Sequence, residues 1–111
     1  TWFESFDKYG LMWWHVFYQC FRMTPGTETA DNPLDHGLAV AGVEDMMLRY
    51  RNHPSIISWI GANEVLMNES LYKLTKEKVR SIDTTRVYLP TTSFHWDDSL
   101  SERRSANRYD G

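Results

Sequence analysis

The sequence predicts an α/β fold of about three parallel strands with intervening helices. Three observations predict it. Short apolar runs at 11–17, 55–62 and 87–94 alternate with helical periodicity at 37–52 and 69–82. Turn residues separate the segments. The run at 55–62 is apolar on both faces, as expected of a strand in a parallel sheet covered on both sides.

The elements follow in order. Residues 3–9 read as the end of a helix, with Phe3 and Phe6 three apart and Gly10 placed to cap the C-terminus. "LMWWHVF", 11–17, is a continuous apolar and aromatic run whose length and Trp and Val content favour a strand. Residues 22–37 contain Pro25-Gly26 and Asn32-Pro33 and read as a long loop. Residues 37–52 read as a helix. Val40, Val43, Met47 and Tyr50 make its apolar face, Met46 widens it, and Asp35 is placed to cap its N-terminus. Glu44, Arg49 and Arg51 are expected to point outward, and Pro54 disfavours helix at His53.

The strand at 55–62 runs into a short loop, "NEVLMNE". Asn68 is placed to cap the helix at 69–82, whose buried face is Leu71, Leu74, Thr75, Val79 and Ile82. Glu69 and Lys73 form a favourably oriented pair four residues apart. "VYLPTTSF", 87–94, is the third strand, with Pro90 a weak point within it. This alternation implies βαβ units. Either an open doubly wound sheet or a slice of a (β/α)8 barrel satisfies it, and both gather ligands at the C-terminal ends of their strands.

Composition narrows the function classes. Apolar residues at 41% and charged residues at 24% describe a globular chain. Aromatic residues at 14% point to a large core or to a site for flat apolar faces such as sugar rings. A net charge of −3 without a basic stripe argues against a nucleic-acid partner. There is no stretch of about 18 apolar residues, so no membrane span is expected. Cys20 is the lone cysteine and makes no internal disulfide. His15, His36, His53 and His95 are far apart and form no metal-ligand spacing, and no phosphate-binding glycine pattern occurs. No metal and no cofactor are therefore expected. The chain starts without methionine, in what reads as mid-helix, and stops without a closing element. It reads as a piece of a longer chain.

The pair Asn63-Glu64 ends the strand at 55–62 and poses the functional question. A Glu is most often a solvated surface group. At the C-terminal end of a parallel strand it stands where reactive side chains concentrate. Apolar surroundings there raise a carboxyl pKa, which suits a general acid. Asn63 is suited to hydrogen-bond a substrate hydroxyl. Neighbouring side chains on a regular strand point to opposite faces, so a shared ligand requires a bulge or an ending here. Trp96, beyond the third strand on the same side, is a candidate to stack on a sugar face.

The residues also carry a resemblance. "YRNHPSIISWIGANE" resembles the segment of glycoside hydrolase family 2 enzymes that reads RNHPS, an apolar strand with Trp, a Gly and then Asn-Glu. "FESFDKYGLMWWHVF" is similar to the family's preceding helix and strand, and "IDTTRVYLPTTS" to the segment entering the next strand. "NPLDHGL" is similar to a loop of the β-mannosidase and exo-β-glucosaminidase branch. The chain departs from the family pattern at His15, where many relatives carry Gln, and at Val87, where they carry Pro.

The resemblance implies that residues 1–111 are a fragment of a catalytic (β/α)8 TIM barrel domain, supplying roughly strands three to five. It implies a retaining hydrolase of β-linked sugars, of β-mannoside or β-glucosaminide type. Glu64 would be the catalytic general acid/base at the end of the fourth barrel strand, and Asn63 would bind the 2-position of the sugar. Trp14 would help to line the pocket or else stand in the barrel wall. The nucleophile would lie beyond residue 111, because Asp97, Asp98 and Glu102 match no such position. The fragment would then be inactive alone. The expected partners are the carbohydrate substrate, the remainder of the barrel and accessory β-sandwich domains. A periplasmic or secreted full-length protein fits this reading. Two alternatives stand beside it: a β-galactosidase or β-glucuronidase of the same family, and a non-catalytic carbohydrate-binding α/β module.

Overall fold

The computed structural model describes residues 1–20, 29–30, 35–63, 66–67 and 69–92. In chain order they form α1 (Trp2–Tyr9), β1 (Trp13–Cys20), β2 (Thr29–Ala30), α2 (His36–Tyr50), β3 (Ile56–Asn63), β4 (Leu66–Met67), α3 (Glu69–Ile82) and β5 (Val87–Thr91). β1, β3 and β5 form one parallel sheet in the order β1-β3-β5. The order runs one way across the sheet, with no reversal among the described strands. That is how successive βα units add in a barrel.

Local chemistry explains the boundaries. Thr1 caps α1 in a capping box with Glu4, and Gly10 closes the helix at φ 68°, a left-handed conformation that costs glycine little. Asp35 caps α2 by accepting a hydrogen bond from the Leu38 amide at 2.9 Å. α2 stops at Tyr50, two residues before the expected end, and Arg51 is its cap. β1 starts at Trp13 rather than Leu11 and continues to Cys20. Its pairing with β3 opens where the Trp13 amide donates to the Ser55 carbonyl at 2.7 Å. Asn68, the expected cap of α3, lies outside the described residues.

All three helices pack on one face of the sheet. Phe17, Val43, Met46, Met47, Ile56, Trp59 and Val79 form the main core, and Phe3, Tyr50, Ile82 and Tyr88 pack around it. Phe17 and Trp59 stack with ring centroids 5.9 Å apart. On α3, Leu71, Thr75 and Val79 are buried as expected, but Leu74 is 41% exposed. Glu44 does not simply face solvent. It accepts from Lys78 Nζ at 3.0 Å and ties α2 to α3. The expected Glu69–Lys73 pair is present at 2.7 Å on the surface.

Two features escaped the sequence. Thr29–Ala30, inside the expected loop, pairs in parallel with Leu66–Met67 as a second, two-stranded sheet. Two-residue strands carry no periodicity to read. The β1–β3 register also shifts twice, between Trp13 and Trp14 and between Val16 and Gln19. Such bulges turn the strands and re-aim their side chains.

Candidate active site

β3 is the central strand, and its last residue is Asn63. Three neighbouring strand ends meet here. Cys20 pairs with Asn63 at the end of β1, and Thr91 pairs with Ala62 at the end of β5. The chain then adds one residue to this end: the Thr92 amide donates to the Ala62 carbonyl at 3.0 Å. The Thr92 hydroxyl donates to Asn63 Oδ1 at 3.2 Å. The amide oxygen of Asn63 is thereby turned toward β5.

One glycine makes this end possible. A Cβ on Gly61 would lie 2.5 Å from Met67 Cε, 2.6 Å from Tyr88 Oη and 2.7 Å from the Pro90 carbonyl oxygen. β5 and β4 close on β3 only because position 61 has no side chain. Pro90 falls opposite Gly61 in the register, between the Ile60–Leu89 and Ala62–Thr91 pairs. The Tyr88 hydroxyl is buried in this contact and has no hydrogen-bond partner among the described residues. Burial pushes its pKa well above the ordinary tyrosine range.

The opposite end of the strands is held by a different set of residues. Asp83 Oδ2 accepts from Trp59 Nε1 at 2.8 Å and from Arg86 Nη1 at 2.7 Å, and Asp83 Oδ1 accepts from the Thr85 amide and hydroxyl. Arg86 also donates through Nε to the Ile56 carbonyl and through Nη2 to the His53 carbonyl. His53 Nδ1 meets Asp7 Oδ2 at 2.6 Å, and Asp7 Oδ1 accepts from the Ser55 amide. This network joins α1, β3 and the turn before β5 where the strands begin. The residues that look most like a signature in the sequence, His53-Pro54-Ser55 and Asp83 to Arg86, thus lock the fold rather than line the site.

The predicted site residues fall as follows. Asn63 stands at the C-terminal end of β3, with its side chain half-buried. Glu64 and Trp96 lie outside the described residues. Trp14 pairs with Ser58, near the start of the strands, and is 60% exposed. Five residues of strand separate Ser58 from Asn63, about 16 Å at roughly 3.3 Å per residue. The register thus sets Trp14 toward the start of the strands, away from Asn63. Thr92 is the site neighbour that sequence reasoning missed. Nothing marks it along the chain, because its place beside Asn63 follows from the β3–β5 register. Among the described residues no group of three or more His, Cys, Asp or Glu side chains is arranged to hold a metal ion. No described helix is long and apolar enough to cross a membrane.

Parallel strands in one-way order with helices on a single face define the class: a βα segment of the (β/α)8 barrel type. The chain belongs to the glycosyl hydrolases family 2, TIM barrel domain, whose model it matches over residues 1–109. It is 30% identical over 77 residues to a mannosylglycoprotein endo-beta-mannosidase of Lilium longiflorum, a match that covers 67% of this chain and 8% of that protein. Its fold is similar to that of a beta-D-mannosidase from Dictyoglomus thermophilum, at a TM-score of 0.68 and 25% identity, over 86% of this chain and 13% of that one. It is also similar in fold to a Bacteroides uniformis beta-glucuronidase, at a TM-score of 0.69 and 23% identity, over 97% of this chain and 14% of that one. The chain therefore spans a small part of the length of each of these relatives.

Proposed function

We propose that this chain is the acid/base-bearing segment of a retaining β-glycosidase of β-mannoside type. The observation that carries the reading is the placement of Asn63. It ends the central parallel strand, its amide is hydrogen-bonded to Thr92, and Glu64 is the next residue in the chain. Membership of the family supports a glycoside hydrolase. The two relatives of 25% identity or more carry mannosidase names, which supports a β-mannoside over a β-glucuronide.

The chemistry follows from the general demands of the reaction. A retaining hydrolase uses two carboxyl groups about 5 Å apart. Glu64, protonated, delivers its proton to the departing glycosidic oxygen. It then takes a proton from the water that releases the covalent intermediate. Asn63 holds the 2-hydroxyl of the sugar, a contact that strengthens as positive charge develops at the anomeric carbon. The remainder of the barrel supplies the nucleophile, and accessory β-sandwich domains complete the enzyme.

Replacement of Glu64 by Gln in the full-length protein provides the test, with two aryl β-mannosides of different leaving group. Hydrolysis of the poor leaving group should fall about 10²–10⁴-fold, the usual weight of general acid catalysis. The first step with an activated phenol, which needs no proton, should be largely retained, and azide should restore its turnover. An equal loss for both substrates, or none, would overturn the assignment of Glu64. Faster hydrolysis of aryl β-glucuronides than of aryl β-mannosides by the wild type would overturn the sugar class.

A further inference from the structure

We infer that Thr92 is a positioning residue for the substrate-binding amide of Asn63; this rests on the reading of Asn63 as the ligand of the sugar 2-hydroxyl. Thr92 makes two hydrogen bonds to β3. Its backbone amide donates to the Ala62 carbonyl at 3.0 Å, continuing the β3–β5 ladder one step past the last paired residues. That bond fixes where the Thr92 side chain stands. Its hydroxyl then donates to Asn63 Oδ1 at 3.2 Å.

The consequence is directional. A primary amide is planar, with its acceptor oxygen and its donor nitrogen on opposite sides. Holding Oδ1 toward β5 turns Nδ2 away from β5, and so presents a donor to a ligand over the strand end. A glycoside 2-hydroxyl offers lone pairs, so a donor is the group required there. Without the Thr92 hydroxyl, the Asn63 amide loses a contact that fixes which way its oxygen faces. The site then loses part of the preorganisation on which a transition-state contact depends. Threonine is suited to the task because its branched Cβ stiffens χ1.

The prediction is tested in the full-length enzyme by a double-mutant cycle on Thr92→Val and Asn63→Ala, with Thr92→Ser as the conservative variant. Valine keeps the shape and the branch and removes only the hydroxyl. Thr92→Val should lower kcat/KM for an aryl β-mannoside about 2- to 12-fold, the range set by one neutral hydrogen bond. Thr92→Ser should restore most of that loss. In the Asn63→Ala background, Thr92→Val should have no further effect, because the group it positions is gone. The 2-deoxy analogue of the substrate should be insensitive to Thr92→Val.

The outcomes separate the two ideas. If Asn63→Ala leaves kcat/KM for the 2-hydroxy substrate unchanged, the reading of Asn63 fails. If Asn63→Ala is costly but Thr92→Val is silent, the positioning role fails. The same Thr92→Val loss with and without Asn63 shows that Thr92 acts through the fold and also overturns the inference. Melting temperatures of the variants, expected within about 2 °C of wild type, guard against a general loss of structure; a larger drop for Thr92→Val with equal losses on both substrates counts against the proposal.

Discussion

The indole N–H of Trp59 donates to Asp83 Oδ2 at 2.8 Å, in a core where Trp59 itself is fully buried. Trp59 lies on the central strand and Asp83 in the turn that leads to β5. One hydrogen bond thus ties the middle of the sheet to the entry of the next strand. The same carboxylate oxygen receives Arg86, whose guanidinium also lies over the Trp59 ring at 5.9 Å. A Trp can be buried in this way because its one polar atom finds a partner.

Trp59→Phe keeps an aromatic ring in the core and removes the donor. Asp83 retains Arg86 and Thr85, so no carboxylate is abandoned. The loss of one hydrogen bond to a charged group and of some packing should cost about 2–3 kcal/mol. Urea denaturation should show a lower midpoint with little change in slope. An unchanged midpoint would show that the bond is not part of what holds the turn.

Asp83 gives the fold a defined acid limit. Burial disfavours its ionisation, but hydrogen bonds from Thr85, Trp59 and Arg86 outweigh that cost and hold its pKa well below the usual carboxylate range. The folded state therefore resists protonation that the unfolded chain accepts near pH 4. The stabilisation is complete above that value and declines as pH falls below it toward the lower folded value. Asp83→Asn should be less stable than wild type by about 2–4 kcal/mol at pH 7, because Arg86 loses its charged partner. The gap should narrow as pH falls from about 5 to 3. A gap constant with pH would mean that the Asp83 charge does not stabilise the fold.

His15 sets a second, gentler pH dependence. It lies between α1, α2 and β3, with Nε2 against Met46 Sδ and ring contacts to Phe3, Phe17, Tyr50 and Trp59. Nδ1 is buried with no partner among the described residues. Burial lowers its pKa, so the unfolded chain takes up a proton first as pH falls below about 6.5. Stability from this group is full above that pH and lost as pH descends toward the lower folded value. His15→Gln removes the titration and should flatten the stability profile between pH 6.5 and 5. The same dependence of unfolding free energy on pH in variant and wild type over that range would contradict the assignment.

Gly61→Ala should be expensive for a side chain of one carbon. The added Cβ would meet the Pro90 carbonyl at 2.7 Å, and that oxygen belongs to the backbone of the neighbouring strand. Met67 can move aside, but β5 cannot without breaking the ladder. A cost of about 1–3 kcal/mol is expected from overpacking. β5 also carries the chain into Thr92, so on the proposed function the glycosidase activity of the full-length protein should fall along with stability. Wild-type melting and kcat/KM in this variant would show that the strands approach less closely than the geometry implies.

Much of the fold was legible along the chain because its signals are local. The cap at Asp35, the left-handed Gly10, the apolar face of α2 and the apolar run of β3 each depend on residues a few positions apart. The end of β3 at Asn63 was legible for the same reason, since a strand end announces itself where an apolar run meets a polar pair. The short β2–β4 pair, the register shifts of β1 and the exposure of Leu74 were not, because each depends on which distant segment lies alongside.

The sequence by itself determined the order of the helices and the three main strands, the parallel class and the residue at which β3 ends. Periodicity and capping are short-range effects, and they survive reading in one dimension. Tertiary structure alone decided what each motif is for. It sent His53 and Asp83 to the far end of the strands as fasteners, kept Trp14 from Asn63, and set Thr92 against the Asn63 amide. The physical reason is register: a parallel sheet brings together residues nearly thirty apart in the chain, and only the hydrogen-bonded ladder states which ones meet.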